Sequence, residues 1–223
     1  MNLKAFVGLL ICTLFYTAVP AQVFQFPAIK KEANAIADFI PPGWDLVDSA
    51  SGDLNGDKLR DIVLGIQCRD SVTDSAGSKQ IIAHRILAVV FKVANRYSLK
   101  LQNNTFLVRE NLGPWLPSPF GKLSIEKGIL NIYYEFIRGG VNYKFRYQSN
   151  SFCLIGASSN YVAAGVLEAW DFNFLTKKAV RTSGAIDAVK LKAEKRDIPQ
   201  NRLKKLDEMK QPLDGQISPE AGI

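Results

Sequence analysis

The chain reads as an α+β domain that is mainly β, an antiparallel meandering sheet with a helix at its N-terminal end. Three observations predict this. From residue 61 onward apolar side chains recur with a period of two in short runs. Turn-forming pairs separate those runs closely enough that consecutive strands must pair antiparallel. Only one early stretch, residues 28–40, carries helical spacing.

The first 21 residues fit an export signal, followed by a β domain over 22–190 and a charged, partly disordered tail over 191–223. Lys4 gives the positive start, residues 5–18 are nearly all apolar, and Val19-Pro20-Ala21 fits cleavage after Ala21. The apolar run is shorter than the roughly 20 residues that span a bilayer as a helix. Ile11 before Cys12 argues against a lipoprotein signal. A secreted or periplasmic protein beginning at Gln22, with no membrane-spanning segment after cleavage, is the expectation.

In residues 28–40, Ile29, Ala33, Ile36, Phe39 and Ile40 share one helical face, and Pro41-Pro42-Gly43 stops the helix. Residues 61–67 (DIVLGIQ) and 85–93 (RILAVVFKV) are unbroken apolar, β-branched runs of the kind found in central strands. Shorter strands are expected at 97–101 and 105–108. From Lys122 the alternation is clear. Lys127-Gly128 turns the chain, Leu130, Ile132, Tyr134 and Phe136 share a face, and Gly139-Gly140 offers the positive φ of a tight turn. Tyr143, Phe145 and Tyr147 alternate on the return strand, and Asn150-Ser151 turns again. Strands over 151–157, 162–170 and 171–175 follow, with a turn at Lys177-Lys178. Leu203, Leu206 and Met209 mark a short helix in the tail, and residues beyond 212 have a disordered composition.

The formal charge is +7, and losing Lys4 with the signal leaves +6. No dense block of Lys or Arg occurs, so nucleic acid is not an expected partner, whereas an envelope glycan or protein is. Cys68 and Cys153 remain after the signal leaves. An oxidising compartment permits a disulfide between them, worth about 4–5 kcal/mol by loop-closure entropy. Their apolar surroundings equally fit two buried thiols.

One motif carries chemistry. Asp53, Asn55, Asp57 and Asp61 place side-chain oxygens at positions 1, 3, 5 and 9 of a loop, and Leu59 supplies a main-chain carbonyl at position 7. Calcium takes six to eight oxygens at about 2.3–2.6 Å, and such a loop curls them round one point. The alternative is a tight Asx turn whose side chains bond their own backbone and hold no metal. The stretch from Ser49 to Ile66 resembles the DxNGDGxxD calcium loop of FG-GAP and VCBS repeat proteins, and that resemblance implies a calcium cofactor. Lys58 stands where those repeats carry glycine, Lys58 and Arg60 add positive charge, and Leu64 at position 12 excludes an EF-hand. A propeller needs about four blades or more, and the sequence holds one such loop. Gly43-Trp44 and residues 49–57 together also resemble the entry segment of exported bacterial proteins, a resemblance that implies no activity.

Other candidates are sparse. His84 is the lone histidine and no G-x-S-x-G elbow is present, which leaves a histidine-based triad without its partners. Glu135 and Glu168 lie on aromatic-rich strands and are the carboxylates to inspect for glycoside hydrolysis. Residues 111–121 hold three prolines, Trp115 and Phe120, so Trp115 is either a ligand-stacking aromatic or a plug for the core. The expected function is an exported, non-enzymatic binding or structural module of the envelope, stabilised by calcium. The alternative is a secreted, glycosidase-like hydrolase using dispersed carboxylates.

Overall fold

A computed structural model describes residues 24–69, 84–107, 120–199 and 202–210. The export signal, the loop bearing Trp115 and the chain end beyond residue 212 fall outside them. Five strands form one antiparallel sheet: β1 (Glu32–Ala33), β2 (Trp44–Gly52), β3 (Asp61–Cys68), β4 (Arg85–Val93) and β5 (Arg96–Asn103), in the order β1-β5-β4-β3-β2. Seven more form the second: β6 (Phe120–Glu126), β7 (Ile129–Phe136), β8 (Gly139–Gln148), β9 (Ser151–Ala163), β10 (Val166–Asn173), β11 (Lys178–Ala185) and β12 (Lys192–Asp197), in sequence order across the sheet. The expected meander is therefore present twice.

β3 and β4 sit near the middle of their sheet and are buried along most of their length, as their unbroken apolar runs require. Val63, Leu87, Val89 and Phe91 face the seven-stranded sheet and meet Leu130, Ile132, Tyr143 and Phe145. Leu64, Ile66, Ile86, Ala88 and Val90 point the other way and need a separate cover. Residues 24–44 supply it with Phe24, Phe26, Ile29, Phe39 and Trp44.

That cover is not the expected N-terminal helix. Residues 28–40 form the two-residue β1 and a single 3-10 turn, Ile36–Phe39. A helix of about 13 residues is marginal alone. β5, by contrast, would otherwise expose an unpaired edge. Glu32 and Ala33 pair with Ser98 and Tyr97, and the Leu99 amide donates to the Lys31 carbonyl. Edge pairing thus outweighs a weak helical preference, while Ile29 and Phe39 still reach the core.

Three other expectations change. The β7–β8 turn falls at Ile137-Arg138, and Gly139 and Gly140 lie inside β8 without positive φ. They are needed for space. A methyl on Gly139 would sit 1.9 Å from the Asn160 carbonyl oxygen, and one on Gly140 would strike the Tyr133 ring. The run from Val162 to Trp170 is broken by a turn at Ala164-Gly165, both with positive φ. Residues 105–107 form bends, no strand.

The stretch from 191 that composition sets apart contributes β12, which pairs with β11, and a segment that packs on the core. Leu206 is fully buried but lies in a turn where a short helix was expected. Its amide donates to the Phe152 carbonyl, and the Leu154 amide donates to the Lys204 carbonyl. Asn103 locks this segment down. Its Nδ2 donates to the carbonyls of Leu206 (2.6 Å) and Met209 (3.1 Å), and its Oδ1 accepts from the amides of Thr105 and Phe106. Phe106, so positioned, meets Tyr134, Tyr143 and Phe145 edge-on. Cys68 and Cys153 are buried free thiols in different sheets. No helix among the described residues is long and apolar enough to cross a membrane.

Asn103→Ala strips partners from the buried Phe106 amide, the half-buried Thr105 amide and two carbonyls, so urea unfolding should show a loss of about 2–4 kcal/mol.

Candidate functional site

The loop joining β2 to β3 runs from Asp53 to Arg60, between the paired residues Gly52 and Asp61. Its side chains are organised around its own backbone. Asp53 Oδ1 accepts from the Gly56 amide at 2.7 Å and Oδ2 from the Lys58 amide at 2.9 Å. Asn55 Oδ1 accepts from the Asp57 amide, and Asn55 Nδ2 donates to Asp57 Oδ2. Asp57 Oδ1 accepts from the Leu59 amide at 2.7 Å. Side chains of Asp53, Asn55 and Asp57 thus bond the loop's own backbone, the pattern of an Asx turn.

Lys58 adopts φ 68, the left-handed conformation that glycine would take without strain. The Lys58 amide, held in that conformation, donates to Asp53 Oδ2. Arg60 turns aside, with Nη2 donating to Ser51 Oγ at 2.6 Å. The entry residues also have structural duties. Gly43 has φ 79, and its carbonyl accepts from the Arg69 amide, while Trp44 packs under the five-stranded sheet.

Asp61 differs from the other three side chains. It is fully buried, with Oδ2 accepting from the Leu54 amide at 2.9 Å and Oδ1 from the Lys92 amide at 3.0 Å. One carboxylate therefore closes the loop and ties it to β4, and Leu54 is drawn into the core beside it. Burial pushes the Asp61 carboxyl above its ordinary range. The two amide bonds oppose that shift, and the nearby charges of Asp57 and Asp53 reinforce it. Each carboxylate oxygen has a second lone pair beyond the one its amide uses. The donor set of Asp53, Asn55, Asp57, Asp61 and the Leu59 carbonyl consists of hard oxygens, which suit calcium.

Glu135 and Glu168 do not meet. Cross-strand partners share a sheet face, and Glu135 lines up with Gly140, Asn160 and Ala169 across β7 to β10. Glu168 neighbours Ala169 and so projects from the opposite face, beside Trp170. Three strand spacings, about 14 Å, also separate them. The pair cannot flank one glycosidic bond. Arg181 bonds Glu168 at 3.1 Å and holds its carboxyl below the usual range, the wrong direction for a general acid.

His84 is buried at the start of β4, where its ring stacks on Phe24 at 3.6 Å and meets Phe26 edge-on. It belongs to the aromatic packing under the five-stranded sheet. Sequence reading missed the contact from Lys92 to Asp61, which spans 31 residues and has no local signal. Comparison with models of known families, with curated proteins and with solved structures finds no match.

Two expectations follow from this geometry. Lys58→Gly relieves about 1–2 kcal/mol of left-handed strain and costs roughly 0.5–1 kcal/mol in chain entropy. Urea unfolding should therefore show a net gain of up to about 1.5 kcal/mol. The second expectation concerns pH. A raised folded-state pKa makes a contribution that is present below the unfolded value and lost as pH rises through the folded one. The destabilisation by Asp61→Asn should accordingly be larger near about pH 3.5 than near about pH 7, measured by urea unfolding in chelator. A penalty that grows with pH would contradict the raised carboxyl.

Proposed function

We propose that this chain is an exported, non-enzymatic binding module of the cell envelope whose β2–β3 loop is stabilised by calcium. The observation that supports the calcium part is the run of loop oxygens ending at Asp61, a wholly buried carboxylate bonded to two backbone amides. Calcium would be held by the side chains of Asp53, Asn55, Asp57 and Asp61 with the Leu59 carbonyl. It would supply the positive charge that offsets three neighbouring carboxylates. The loop's link through Asp61 to β4 means that such neutralisation acts on the fold as a whole. The separation of Glu135 from Glu168, and the packing of His84 among aromatics, support a binding module over the hydrolase alternative.

The export reading rests on Lys4, the apolar stretch to Ala18 and the small residues ending at Ala21. It places the loop where calcium is plentiful enough for a weak site, in the range of about 10⁻⁴–10⁻³ M typical of extracellular modules. Calcium at about ten times its dissociation constant contributes about 1.4 kcal/mol, which is a rise of roughly 3–6 °C for a domain of this size. Thermal unfolding in calcium against chelator should show that rise, and Asp57→Ala should abolish it. Identical melting temperatures in the two conditions would end the calcium reading.

A further inference from the structure

The β2–β3 loop also holds a chemically reactive pair. Asn55 alone among the asparagines of this chain is followed by glycine. In such a pair the glycine nitrogen can reach the asparagine carboxamide, because no Cβ shields it and the glycine backbone turns freely. Here the pair stands open to solvent. Gly56 is exposed, and a methyl placed on it would meet nothing within 4 Å.

The folded loop nevertheless engages each atom that the reaction needs. The Gly56 amide donates to Asp53 Oδ1 at 2.7 Å, a charged acceptor that holds the proton in place. The Asn55 carboxamide is fixed at both its polar atoms. Oδ1 accepts from the Asp57 amide at 3.0 Å, and Nδ2 donates to Asp57 Oδ2 at 2.9 Å. Asp53 is itself steadied by the Lys58 amide at 2.9 Å. Attack on the carboxamide therefore waits for the loop to open, a low-energy event for an exposed segment. Asn150, at another exposed turn, gives the contrast: Ser151 follows it, and its Oδ1 is held by Lys100 and the Tyr147 hydroxyl.

We propose that Asn55 is a site of spontaneous, irreversible deamidation that the loop's own hydrogen bonds hold in check. In the open loop the Gly56 nitrogen gives its proton to solvent and bonds to Asn55 Cγ. The Cγ–Nδ2 bond breaks, and Nδ2 takes a proton from solvent and leaves as ammonia. A five-membered imide remains. Water then adds to either of its carbonyls, giving an aspartyl residue or an isoaspartyl link that runs through the side-chain carbon. Water is the sole co-reactant, and nothing is oxidised or reduced.

Both products loosen the loop. In the aspartyl form an oxygen replaces the Nδ2 donor, so the contact with Asp57 Oδ2 becomes one between like charges. In the isoaspartyl form the backbone gains a carbon ahead of Gly56, which displaces the Gly56 and Asp57 amides from their acceptors. Because the reaction runs one way, the converted fraction records how long the loop has stood open. It needs neither calcium nor export, so its test and that of the proposed function fail separately.

The test incubates the chain from Gln22 onward in mildly alkaline buffer with chelator, folded and in urea. Proteolytic mapping by mass and by isoaspartyl content then follows each asparagine. Conversion is expected first at Asn55, and at least about tenfold faster in urea than in the folded chain. Asp53→Ala should speed the folded reaction about tenfold, the factor that a bond to a charged acceptor contributes. Asp53→Asn, which keeps a neutral acceptor, should fall between. Asn55→Gln should abolish the reaction at this position, since its longer side chain closes the larger ring far more slowly. Asn55→Asp, which copies the first product, should melt about 2–4 °C lower in chelator. Conversion as fast in the folded chain as in urea would overturn the proposal, as would conversion first at another asparagine. So would Asp53 variants that fold and leave the rate unchanged. If Asp53→Ala does not fold, Asp53→Asn and the comparison with urea decide. An Asn55→Asp chain that melts no lower would overturn the loosening.

Discussion

The fold depends on one constraint: β3 and β4 are apolar on both faces. Each successive residue of such a strand needs a layer above or below it, so a single sheet cannot be stable. Here the layers come from different parts of the chain. The seven-stranded sheet covers Val63, Leu87 and Val89, and residues 24–44 cover Leu64, Ile66 and Ile86. The second cover explains why the N-terminal segment lies extended. A segment that must seal a sheet face and also pair with the edge of β5 does both better as chain than as helix. Pro27, Pro41 and Pro42 flank it and favour that choice.

Where the two sheets meet, their edges are managed by local devices. β2 carries a bulge at Val47, between the registered residues Leu46 and Asp48. Asp48 then reaches across to accept from the Leu123 amide of β6 at 2.6 Å. Gly52 leaves room for Ile125, since a methyl there would sit 2.6 Å from its Cγ2. At the far edge β12 is rich in Lys, Glu and Arg, a composition that discourages pairing with another chain. The Asp53–Asp61 loop follows directly from Gly52, so it stands on the seam between sheets. Its buried anchor, Asp61, also fixes the start of β3 to β4.

Much of this was legible in local pattern. The runs 61–67 and 85–93 announced central strands, and the alternation from Leu123 to Tyr147 announced hairpins with their buried faces. The spacing of Asp53, Asn55 and Asp57 announced a curled loop. What failed to show were effects that act across the chain. The spacing of Ile29, Ile36 and Phe39 is equally good for a helix and for an extended strap, and only the unpaired edge of β5 decides between them. Gly139 and Gly140 looked like turn residues because glycine's two uses, positive φ and close approach, are indistinguishable in sequence. The division into two sheets depends on the connection after Leu107, which has no local signature. Asp61 as an anchor depends on Lys92, and Asn103 as a clamp depends on Leu206 and Met209, each far along the chain.

The apolar end of β10 is the least expected feature, because it does not continue the core. Along β10 the inward-facing positions run Phe172, Trp170, Glu168, Val166 toward that end. Phe172 is buried against Phe174 and Trp170. Trp170 is half-buried, with the guanidinium groups of Arg181 and Arg196 over its ring. Glu168 bonds Arg181 and the Trp170 indole. Polarity therefore rises as the strand leaves the sandwich, as an ordinary sheet end requires. It then falls again at Val166, beyond the charged collar. Burial within the fold cannot explain that reversal, since the collar separates Val166 from the core. Among the described residues Val166 is left about half exposed beyond that ring of charge.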